Sequence, residues 1–481
     1  METPAPLRLF DSLTRSLKDF VPLRAGEASV YSCGPTVYNY QHVGNMRAYI
    51  FADTLGRALS FKGYKLKHVV NITDVGHLTS DADAGDDKLE KAASAQGKSA
   101  WDIARYYQQV FEDDLARLNI RKPEHPRATD YVPAMIAWAQ GIEARHCYTL
   151  PGGLYFDVST VPDYGRLARA ETNEGEARIE SVDGKRHAAD FAIWRTTPPG
   201  ETRQMEWDSP WGRGAPGWHI EFSVMSAALL GQPFDIHTGG IDHREIHHPN
   251  EIAQNQAHGC TADSGAGIWM HNNFLIDRSS SKAGGKMSKS SGEFLTLQAL
   301  VDRGYHPLAF RLLCLQAHYR SELEFSWEGL GAALVRLKRM VMGVDGIRAD
   351  LAAGMNGHLA DKQISAFDAE ICEDLNTPNA LAVLDLVFGY RSISPSERMV
   401  AVAAINEVLA LQLLVLSRID LRIRPKSATI TEPEIEAILD RRKEARVAKD
   451  FASSDALRDE LAGHGVEVMD GDPLGWDWKL G

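Results

Sequence analysis

Hydrophobic and polar positions near the start of the chain follow first the period of a strand and then that of a helix. The apolar run 28–33, ASVYSC, predicts a short buried strand, and the segment 34–45, GPTVYNYQHVGN, is rich in turn residues. Residues 46–63, MRAYIFADTLGRALSFKG, have the helical period and end at a glycine, and 65–73, KLKHVVNIT, predicts the next strand. This order of strand, loop, helix and strand predicts a right-handed crossover in a parallel sheet.

The pattern changes further along the chain. Residues 87–118 have helical periodicity, whereas 119–205 contain short strand-like pieces, such as GLYFDV and DFAIWR, between Gly, Pro and charged residues. This change indicates an inserted domain. The sequence FDIHTGGIDH then predicts a strand and a glycine turn, and HHPNEIAQNQAH predicts the start of a helix. The run 297–420 is helical in pattern, and the polar linker RIRPKSATITEP separates it from a charged helical tail.

Composition and charge narrow the class of protein. The chain has 481 residues, of which 44% are hydrophobic, so we expect about two to four domains. It lacks the apolar run of about 20 residues that crosses a bilayer, and its N-terminus lacks the apolar core of a secretion signal. We therefore expect a cytoplasmic protein without membrane contact. The net charge of −13 excludes a surface that is basic everywhere, but it does not exclude a local basic face for nucleic acid.

The cysteines and one histidine-rich stretch are the first candidates for chemistry. The five cysteines are scattered and odd in number, so they do not predict a disulfide framework, and all except Cys33 are expected to be buried apolar residues. In EIHHPNE, residues 245–251, His247 and Glu251 lie four positions apart and would share one face of a helix. An imidazole and a carboxylate so placed are two ligands for a divalent metal such as zinc, which needs at least a third.

Two short motifs indicate a nucleotide site. His42, Gly44 and Asn45 belong to HVGN, between the first strand and the first helix, where backbone N–H groups and the helix dipole attract phosphate. Lys286 and Lys289 belong to KMSKS, in a Gly/Ser-rich loop, and can stabilise charge on a pyrophosphate leaving group. Each motif alone also fits an ordinary polar loop. Their combination, with HVGN in a strand–loop–helix context, favours the nucleotide interpretation.

These motifs and their surroundings resemble one family. HVGN and KMSKS are similar to the two signature motifs of class I aminoacyl-tRNA synthetases. The surrounding sequences narrow the resemblance to cysteinyl-tRNA synthetases: CGPTVYNYQHVGNMRAY, NITDVGHLTSDAD, PGWHIEFS, HTGGIDHREIHHPNEIAQ and KEARVAKDFASSDALRDEL. The resemblance implies an α/β fold, in which a Rossmann-like catalytic domain is split by a connective insertion and followed by an α-helical domain and a small anticodon-binding module. The corresponding segments are 1–118, 119–205, 206–296, 297–425 and 426–481.

The resemblance also implies an activity and a set of site residues. It implies a monomeric ligase that uses ATP and Mg²⁺ to activate cysteine as an adenylate and then transfers it to tRNA-Cys. The implied catalytic residues are His42, Asn45, Lys286 and Lys289. The implied ATP site comprises His42, Gly44, Asn45, Gly239, Gly240, Asp242, Lys286 and Lys289. The implied amino-acid pocket comprises Cys33, Gly34, Thr36, Thr73, Trp218, Phe222 and His247.

Zinc is the cofactor that the resemblance implies for selectivity, because zinc binds a thiolate far better than a serine hydroxyl. Of the four ligands that the resemblance implies, Cys33, His247 and Glu251 match three. The fourth, a cysteine after WHIE, is replaced by Phe222, whose aromatic ring cannot bind zinc. This departure raises the hypothesis that the chain is a divergent paralogue.

The missing ligand leaves several interpretations open. In the first, three ligands still hold zinc and the substrate thiolate completes the site. In the second, zinc is weak or absent, and the enzyme activates a different small amino acid or serves a specialised tRNA-dependent pathway. In the third, cysteine is joined to a non-tRNA acceptor, as in the related mycothiol-pathway ligases, although the tail sequence RRKEARVAK favours tRNA. A non-catalytic tRNA-binding paralogue is the fourth.

Overall fold

The computed structural model describes residues 5–76, 88–168, 184–259, 265–276, 295–352, 361–389 and 393–480. Its strands are β1 (Arg8–Asp11), β2 (Ser16–Asp19), β3 (Glu27–Ser32), β4 (Lys65–Val70), β5 (Cys147–Leu150), β6 (Gly153–Phe156), β7 (Phe191–Thr196), β8 (Gly214–Pro216), β9 (Phe234–Gly240), β10 (Ala266–Asn272), β11 (Leu275–Ile276), β12 (Leu323–Glu324), β13 (Val466–Val468) and β14 (Trp476–Trp478). Its helices are α1 (Val43–Phe61), α2 (Lys88–Gln96), α3 (Ala100–Arg117), α4 (Val132–His146), α5 (Trp218–Leu230), α6 (His247–Ala257), α7 (Leu297–Asp302), α8 (Pro307–Leu315), α9 (Trp327–Ala352), α10 (Asp361–Cys372), α11 (Thr377–Gly389), α12 (Pro395–Leu409), α13 (Glu432–Val447) and α14 (Phe451–Gly463).

A four-stranded parallel sheet, in the order β10-β9-β3-β4, forms the centre of the fold. Helix α1 connects β3 to β4, and α6 connects β9 to β10. The two connections lead to opposite edges of the sheet, so the strand order reverses between β3 and β9. In open α/β sheets, ligands bind at such a reversal, outside the carboxyl ends of the strands. The predicted strand–loop–helix–strand unit is confirmed, and it forms one half of this arrangement.

Helix α1 is the central helix because it is buried on several sides. Most of its side chains from Val43 to Leu59 are buried, between the sheet and the helices α8 and α12. The helix begins at His42, whose ring nitrogen accepts a hydrogen bond from the backbone N–H of Asn45. After the helix ends, Gly63 adopts a φ of +88°, a left-handed conformation that glycine adopts without steric cost. The helix ends close to the predicted glycine but begins three residues earlier than predicted, so Val43, Gly44 and Asn45 belong to its first turn rather than to the loop.

An antiparallel sheet, in the order β5-β6-β7-β8, lies in the inserted region. The predicted strand sequences GLYFDV and DFAIWR correspond to β6 and β7. Every residue of β6 is buried, and the indole of Trp194 in β7 is 1% exposed. Strand β8 joins this sheet and ends at Pro216, directly before the cavity-lining helix α5. The domain boundaries at residues 119 and 205 stay predictions.

The helices α7 to α12 and the C-terminal elements complete the described fold. Helices α13 and α14 and strands β13 and β14 have a core of their own, which includes Ile435, Leu461 and Trp476. Arg418, ahead of this unit, forms ion pairs with Asp472 and with Asp477 inside it. None of the helices in the described part of the chain is both long enough and apolar enough to cross a bilayer.

Candidate active site

A cavity of about 360 Å³ opens at the carboxyl ends of β3 and β9, where the strand order reverses. Many of the residues predicted for the two substrate sites line it: Cys33, Gly34, Thr36, His42, Gly44, Asn45, Trp218, Gly239, Gly240, Asp242 and His247. Three predicted residues, Thr73, Phe222 and Glu251, are buried behind this lining. Lys286 and Lys289 lie outside the described residues. The structure therefore brings the predicted ATP and amino-acid residues into one cavity.

The segment that follows β3 is held tightly against its neighbours. The backbone N–H of Cys33 donates to the carbonyl of Thr238 at 3.0 Å, which extends the pairing of β3 with β9. The backbone N–H of Gly34 donates to Oδ1 of Asn71 at 2.8 Å. A Cβ at position 34 would lie 1.5 Å from the carbonyl oxygen of Asn71, so only glycine fits there. This packing fixes the thiol of Cys33 at the floor of the cavity.

The motif HVGN forms the start of α1. Nδ1 of His42 accepts from the N–H of Asn45 at 3.2 Å, so the ring folds over the first turn of the helix. A Cβ at position 44 would lie 2.8 Å from this same Nδ1, so Gly44 provides the space that the ring occupies. The side-chain oxygen of Asn45 is buried and has no hydrogen-bond partner among the described residues. The backbone N–H groups of this helix start and the two polar side chains suit a phosphate group.

The two glycines that end β9 line the same cavity as HVGN. A Cβ at Gly239 would lie 2.7 Å from Cε1 of His248, and a Cβ at Gly240 would lie 2.5 Å from Oδ1 of Asp242. Both glycines therefore leave space for polar side chains of the following residues. The carboxylate of Asp242 lines the cavity and can accept hydrogen bonds from ribose hydroxyls.

Four side chains that could bind a metal converge below the cavity. The ligand atoms of Cys33, His237, His248 and Glu251, which we call the donor cluster, all lie within 4.8 Å of one another. Within this cluster, Sγ of Cys33 is 3.1 Å from Nε2 of His248, and Oε2 of Glu251 is 2.8 Å from Nε2 of His237. Oε1 of Glu251 is buried and accepts no hydrogen bond from the described residues. A thiol at the floor of the cavity, two buried imidazoles and a buried carboxylate are a donor set that fits zinc.

His247 lies at the edge of the donor cluster rather than in it. Its Nε2 is 3.1 Å from Oε1 of Glu251, as the predicted four-residue spacing requires. Its ring stacks on Trp218, with ring centres 4.2 Å apart, and meets the ring of Phe222 edge to face at 4.3 Å. Its Nδ1 is 2.8 Å from Nδ1 of His219. The aromatic ring that replaces a cysteine ligand therefore packs directly against this histidine.

Burial controls the protonation states of these side chains. Burial, with the Glu251 carboxylate adding to it, raises the pKa of the Cys33 thiol well above its ordinary value. Burial also raises the pKa of Glu251, although the neighbouring His237 opposes this shift. Burial and the surrounding histidines lower the pKa of His248 well below its ordinary value. In each of these three groups, burial therefore shifts the equilibrium towards the neutral form.

A second buried carboxyl group lies beside the predicted amino-acid pocket. The hydroxyl of Thr73 donates to Oε1 of Glu221. Burial raises the pKa of Glu221 well above its ordinary value, and the hydrogen bond from Thr73 opposes that shift. At the start of α5, the indole of Trp218 lines the cavity, whereas Glu221 is buried behind it with Thr73.

Comparison with known proteins decides the family. The family model described as the class I (C) tRNA synthetase catalytic domain matches residues 19–334, and the model described as the cysteinyl-tRNA ligase anticodon-binding domain matches 431–473. The chain belongs to the cysteinyl-tRNA synthetase family. The cysteine–tRNA ligase of Novosphingobium aromaticivorans is 67% identical, with 99% of this chain and 97% of the relative covered. That of Zymomonas mobilis is 50% identical, with 99% and 98% covered.

Solved structures with low sequence identity to this chain also support the fold. Methionyl-tRNA synthetase of Mycobacterium tuberculosis, bound to methionyl-adenylate, is similar with a TM-score of 0.57 at 16% identity, over 80% of this chain and 92% of that one. The leucyl-tRNA synthetase in a ternary complex from Agrobacterium radiobacter has a TM-score of 0.55 at 12% identity, over 82% and 84%. The predicted class I synthetase fold, with a helical region and an anticodon-binding domain, is confirmed.

Some residues of the site are absent from the sequence-based predictions. His237, His248, His271 and Glu221 are all buried around the donor cluster or the amino-acid pocket. For His248, the sequence held one signal: His247 and His248 lie four and three positions before Glu251, so either can approach it from the same helical face. The other three lie on β9, β10 and α5, and their meeting depends on how these elements pack. Family membership alone does not show which imidazole would bind zinc in a chain that has Phe222 at the position of the fourth ligand.

Proposed function

We propose that the chain activates cysteine with ATP and transfers it to the 3′ end of tRNA-Cys. One observation carries this proposal: Cys33, in contact with a buried imidazole, and His42, at the start of α1, line the same cavity. A sulfur-selective amino-acid pocket thus lies within reach of a phosphate-binding helix start. The anticodon-binding match at 431–473 favours tRNA over a non-tRNA acceptor.

In the first step, a carboxylate oxygen of cysteine bonds to the α-phosphorus of ATP as the bond from that phosphorus to pyrophosphate breaks; Mg²⁺ bound to ATP would neutralise phosphate charge. Since Nδ1 of His42 accepts the N–H of Asn45, the proton of a neutral His42 ring is on Nε2, which can donate to a phosphate oxygen. The amide of Asn45 supplies a further donor. We assign the ribose hydroxyls to Asp242 and the developing charge on pyrophosphate to Lys286 and Lys289.

In the second step, the terminal hydroxyl of tRNA attacks the carbonyl carbon of the adenylate, and AMP leaves. The locally basic stretch RRKEARVAK, within the tail, is suited to the anticodon arm. Lys443 and Lys449, on and just after α13, are exposed, whereas Arg442 and Arg446 form ion pairs with Asp470. The two lysines are therefore the cations of this helix that we expect to contact phosphate.

Recognition of cysteine depends on the donor cluster and on the walls beside it. When bound there, zinc supplies a soft Lewis acid that favours a thiolate over a hydroxyl. Cys33 and Glu251 are two of the protein ligands that we propose, and histidine supplies the third. Trp218 closes the pocket on the side of His247. A site of this kind rejects serine because serine has no sulfur to bind the metal. A substrate that lacks the group recognised by a selective pocket is bound much more weakly.

The decisive experiment is ATP–pyrophosphate exchange with each of the amino acids in turn, with zinc measured on the same sample. We expect exchange with cysteine and stoichiometric zinc. Exchange confined to another amino acid would contradict the proposed specificity but retain the enzyme class. Absence of exchange with every amino acid would leave only a non-catalytic tRNA-binding role.

A second function has one observation in its favour. Phe222 is 1% exposed and replaces a sulfur ligand with an aromatic ring, which makes the wall behind the pocket more apolar. Activation of a different small amino acid, or use in a specialised tRNA-dependent pathway, would follow if this substitution abolished zinc binding. The exchange assay separates this candidate from the first by its substrate.

We further propose that the enzyme acts in the cytoplasm as a monomer. The location follows from the proposed activity, because charged tRNA is used in the cytoplasm, where proteins are synthesised. Light scattering during size-exclusion chromatography tests the assembly state: a monomer has a mass of 53.1 kDa. A mass of twice this value at micromolar concentration would contradict the proposal.

A further inference from the structure

The positions of the two adjacent histidines at the start of α6 differ in a way that bears on the missing cysteine ligand. Nε2 of His248 is 3.1 Å from Sγ of Cys33 and 3.8 Å from Oε1 of Glu251. Nε2 of His247 also approaches Oε1 of Glu251, at 3.1 Å, but His247 is not a member of the group whose ligand atoms all lie within 4.8 Å. The geometry thus brings His248, rather than His247, to the thiol.

We propose that His248 has replaced His247 as the imidazole ligand in this chain, so that zinc is held by Cys33, His248 and Glu251. This inference rests on the metal-dependent cysteine recognition proposed above and assigns its ligands. The three ligands leave one tetrahedral position for the thiolate of the substrate. His247 becomes a residue that positions Glu251 and lines the cavity.

The surroundings of His248 are those of a metal-binding imidazole. Its Nδ1 is 2.8 Å from Nε2 of His271, and Nδ1 of His271 is 2.8 Å from Oγ of Ser12. If each ring donates its Nδ1 proton along this chain, Ser12 accepts at the end, and Nε2 of His248 keeps a lone pair directed at Cys33. A ligand histidine commonly donates its second N–H to a fixed acceptor in this manner, which sets its tautomer and orientation.

The surroundings of His247 are different and are occupied by Phe222. The ring of His247 lies between the stacked indole of Trp218 and the edge-to-face ring of Phe222. A ligand at position 222 would have shared the ion with this imidazole, but the phenyl ring has taken that space. The residue that replaces the sulfur thus packs directly against the histidine that the family resemblance implies as a ligand.

Two further features concern the carboxylate of Glu251 and the space around the ring of His248. Oε1 of Glu251 is a buried oxygen without a hydrogen-bond partner in the described residues, and it faces both imidazoles. Oε2 of the same carboxylate accepts from Nε2 of His237 at 2.8 Å, so His237 holds the group with Oε1 free for an ion. Gly239 completes the arrangement, because a Cβ there would lie 2.9 Å from Nε2 of His248.

The test compares His248→Gln with His247→Gln in the full chain. The two positions are adjacent, equally buried and on the same helical turn, so each substitution is the control for the other. Zinc affinity is measured by competition with a chromogenic chelator, and cobalt(II) substitution reports the ligand field by absorption. We expect His248→Gln to weaken zinc binding by about tenfold or more and to change the cobalt spectrum. His247→Gln should leave both the affinity and the spectrum close to those of the parent.

Equal or greater loss in His247→Gln overturns the proposal, and so does an unchanged affinity in His248→Gln. Thermal melting of both variants identifies misfolding. If a variant does misfold, Gly239→Ala provides a second route: it changes no ligand but should displace His248 and weaken zinc binding. Unchanged zinc binding in Gly239→Ala, with the fold intact, also overturns it. All these measurements omit substrates, so failure of cysteine exchange with normal zinc affinity would count against the proposed function alone.

Discussion

The imidazole of His42 occupies the space that a side chain at position 44 would need, since a Cβ there would lie 2.8 Å from Nδ1 and 2.9 Å from Cε1. Gly44→Ala should therefore rotate this ring away from the start of α1 and misplace the phosphate donors. We expect ATP–pyrophosphate exchange to fall on the order of 100-fold, because a small displacement of a catalytic group has an effect of that size.

The matched control is Gly346→Ala, in α9, where an added Cβ meets no atom within 4 Å. This variant should retain activity and gain about 0.5–1 kcal/mol in unfolding free energy, because alanine favours the helix. Comparable activity loss in the two variants would show that the steric argument for position 44 is wrong.

At Phe222, the chain lacks the fourth zinc ligand that the family resemblance implies. Phe222→Cys should add a thiol beside His247 and so strengthen zinc binding by about tenfold. Cysteine-dependent exchange should rise with it. Chelator competition measures the first effect, and exchange at limiting zinc measures the second.

Phe222→Ala is the control, because it opens the cavity without adding a ligand. It should lower the unfolding free energy by about 3–5 kcal/mol and leave zinc affinity unchanged. If the cysteine and alanine variants bind zinc equally well, position 222 is not beside the metal.

At the scale of single residues, the sequence predicts contacts within one helix better than contacts between different helices and strands. The spacing of His247 and Glu251 predicts their approach, and the two side chains meet at 3.1 Å. The same helix also brings His248 within 3.8 Å of Glu251, because neighbours at three and at four positions share a face. The choice between the histidines depends on where Cys33 lies, and Cys33 is on a different element.

Helix α1 carries a buried ionic group that holds several elements together. Asp53 forms ion pairs with Arg57 at 2.8 Å and with Arg311 of α8 at 2.6 Å. Arg311 also donates to the carbonyl oxygens of Leu118 and Leu409, so three parts of the chain meet at one guanidinium. Burial raises the pKa of Asp53, but the two guanidinium groups outweigh burial and hold it below its usual range.

Asp53→Asn should destabilise the fold strongly, because it leaves Arg311 buried without its counterion. We expect a loss of about 3–5 kcal/mol in unfolding free energy. Asp102→Asn is the control: it removes an exposed ion pair with Arg105, so little change is expected. Chemical denaturation of both variants measures the difference. Equal stabilities of the two variants would contradict the structural role of Asp53.

The pH dependence of this effect has a defined sign. The pKa of Asp53 is lowered in the folded state, so its contribution is present above the ordinary aspartate pKa and is lost as the pH falls through the folded-state value. The difference between the parent and Asp53→Asn should therefore shrink below about pH 4. A difference that is constant down to pH 2 would contradict this assignment.

At the scale of elements, local pattern predicted which segments form strands and helices, but it did not predict how they pair. The strand–loop–helix–strand unit and the strands β6 and β7 follow from periodicity and turn residues. The pairing of β3 with β9 joins segments far apart in the chain, and no local signal encodes it. The active-site cavity depends on that pairing. This is why the residues that line the cavity were predicted by the family resemblance and not by periodicity.

The whole molecule is acidic, with a net charge of −13, so tRNA can approach only at local basic faces. The double variant Lys443→Glu and Lys449→Glu should raise the KM for tRNA in aminoacylation. It should also reduce the slope of binding against salt concentration by about 2, one unit for each phosphate contact. ATP–pyrophosphate exchange should not change, because that step needs no tRNA.

A second double variant, Lys65→Glu and Lys362→Glu, changes the net charge equally at exposed positions outside the tail. It should leave the KM for tRNA close to that of the parent. Equal effects of the two double variants would indicate that the total charge, rather than the α13 face, controls tRNA binding.

The presence of a single sulfur atom in the cavity lining has a consequence for oxidative stress. Cys33 is the only cysteine among the described residues that line the cavity, and the position of the second family thiol is an aromatic ring. Two thiols in such a site can be oxidised by peroxide to a disulfide, which ejects the ion. A lone thiol has no protein thiol of this kind beside it, so its oxidation begins with sulfenic acid, which small thiols reverse before further oxidation makes the damage permanent. The phenylalanine therefore leaves the site without the second protein thiol that an internal disulfide would need.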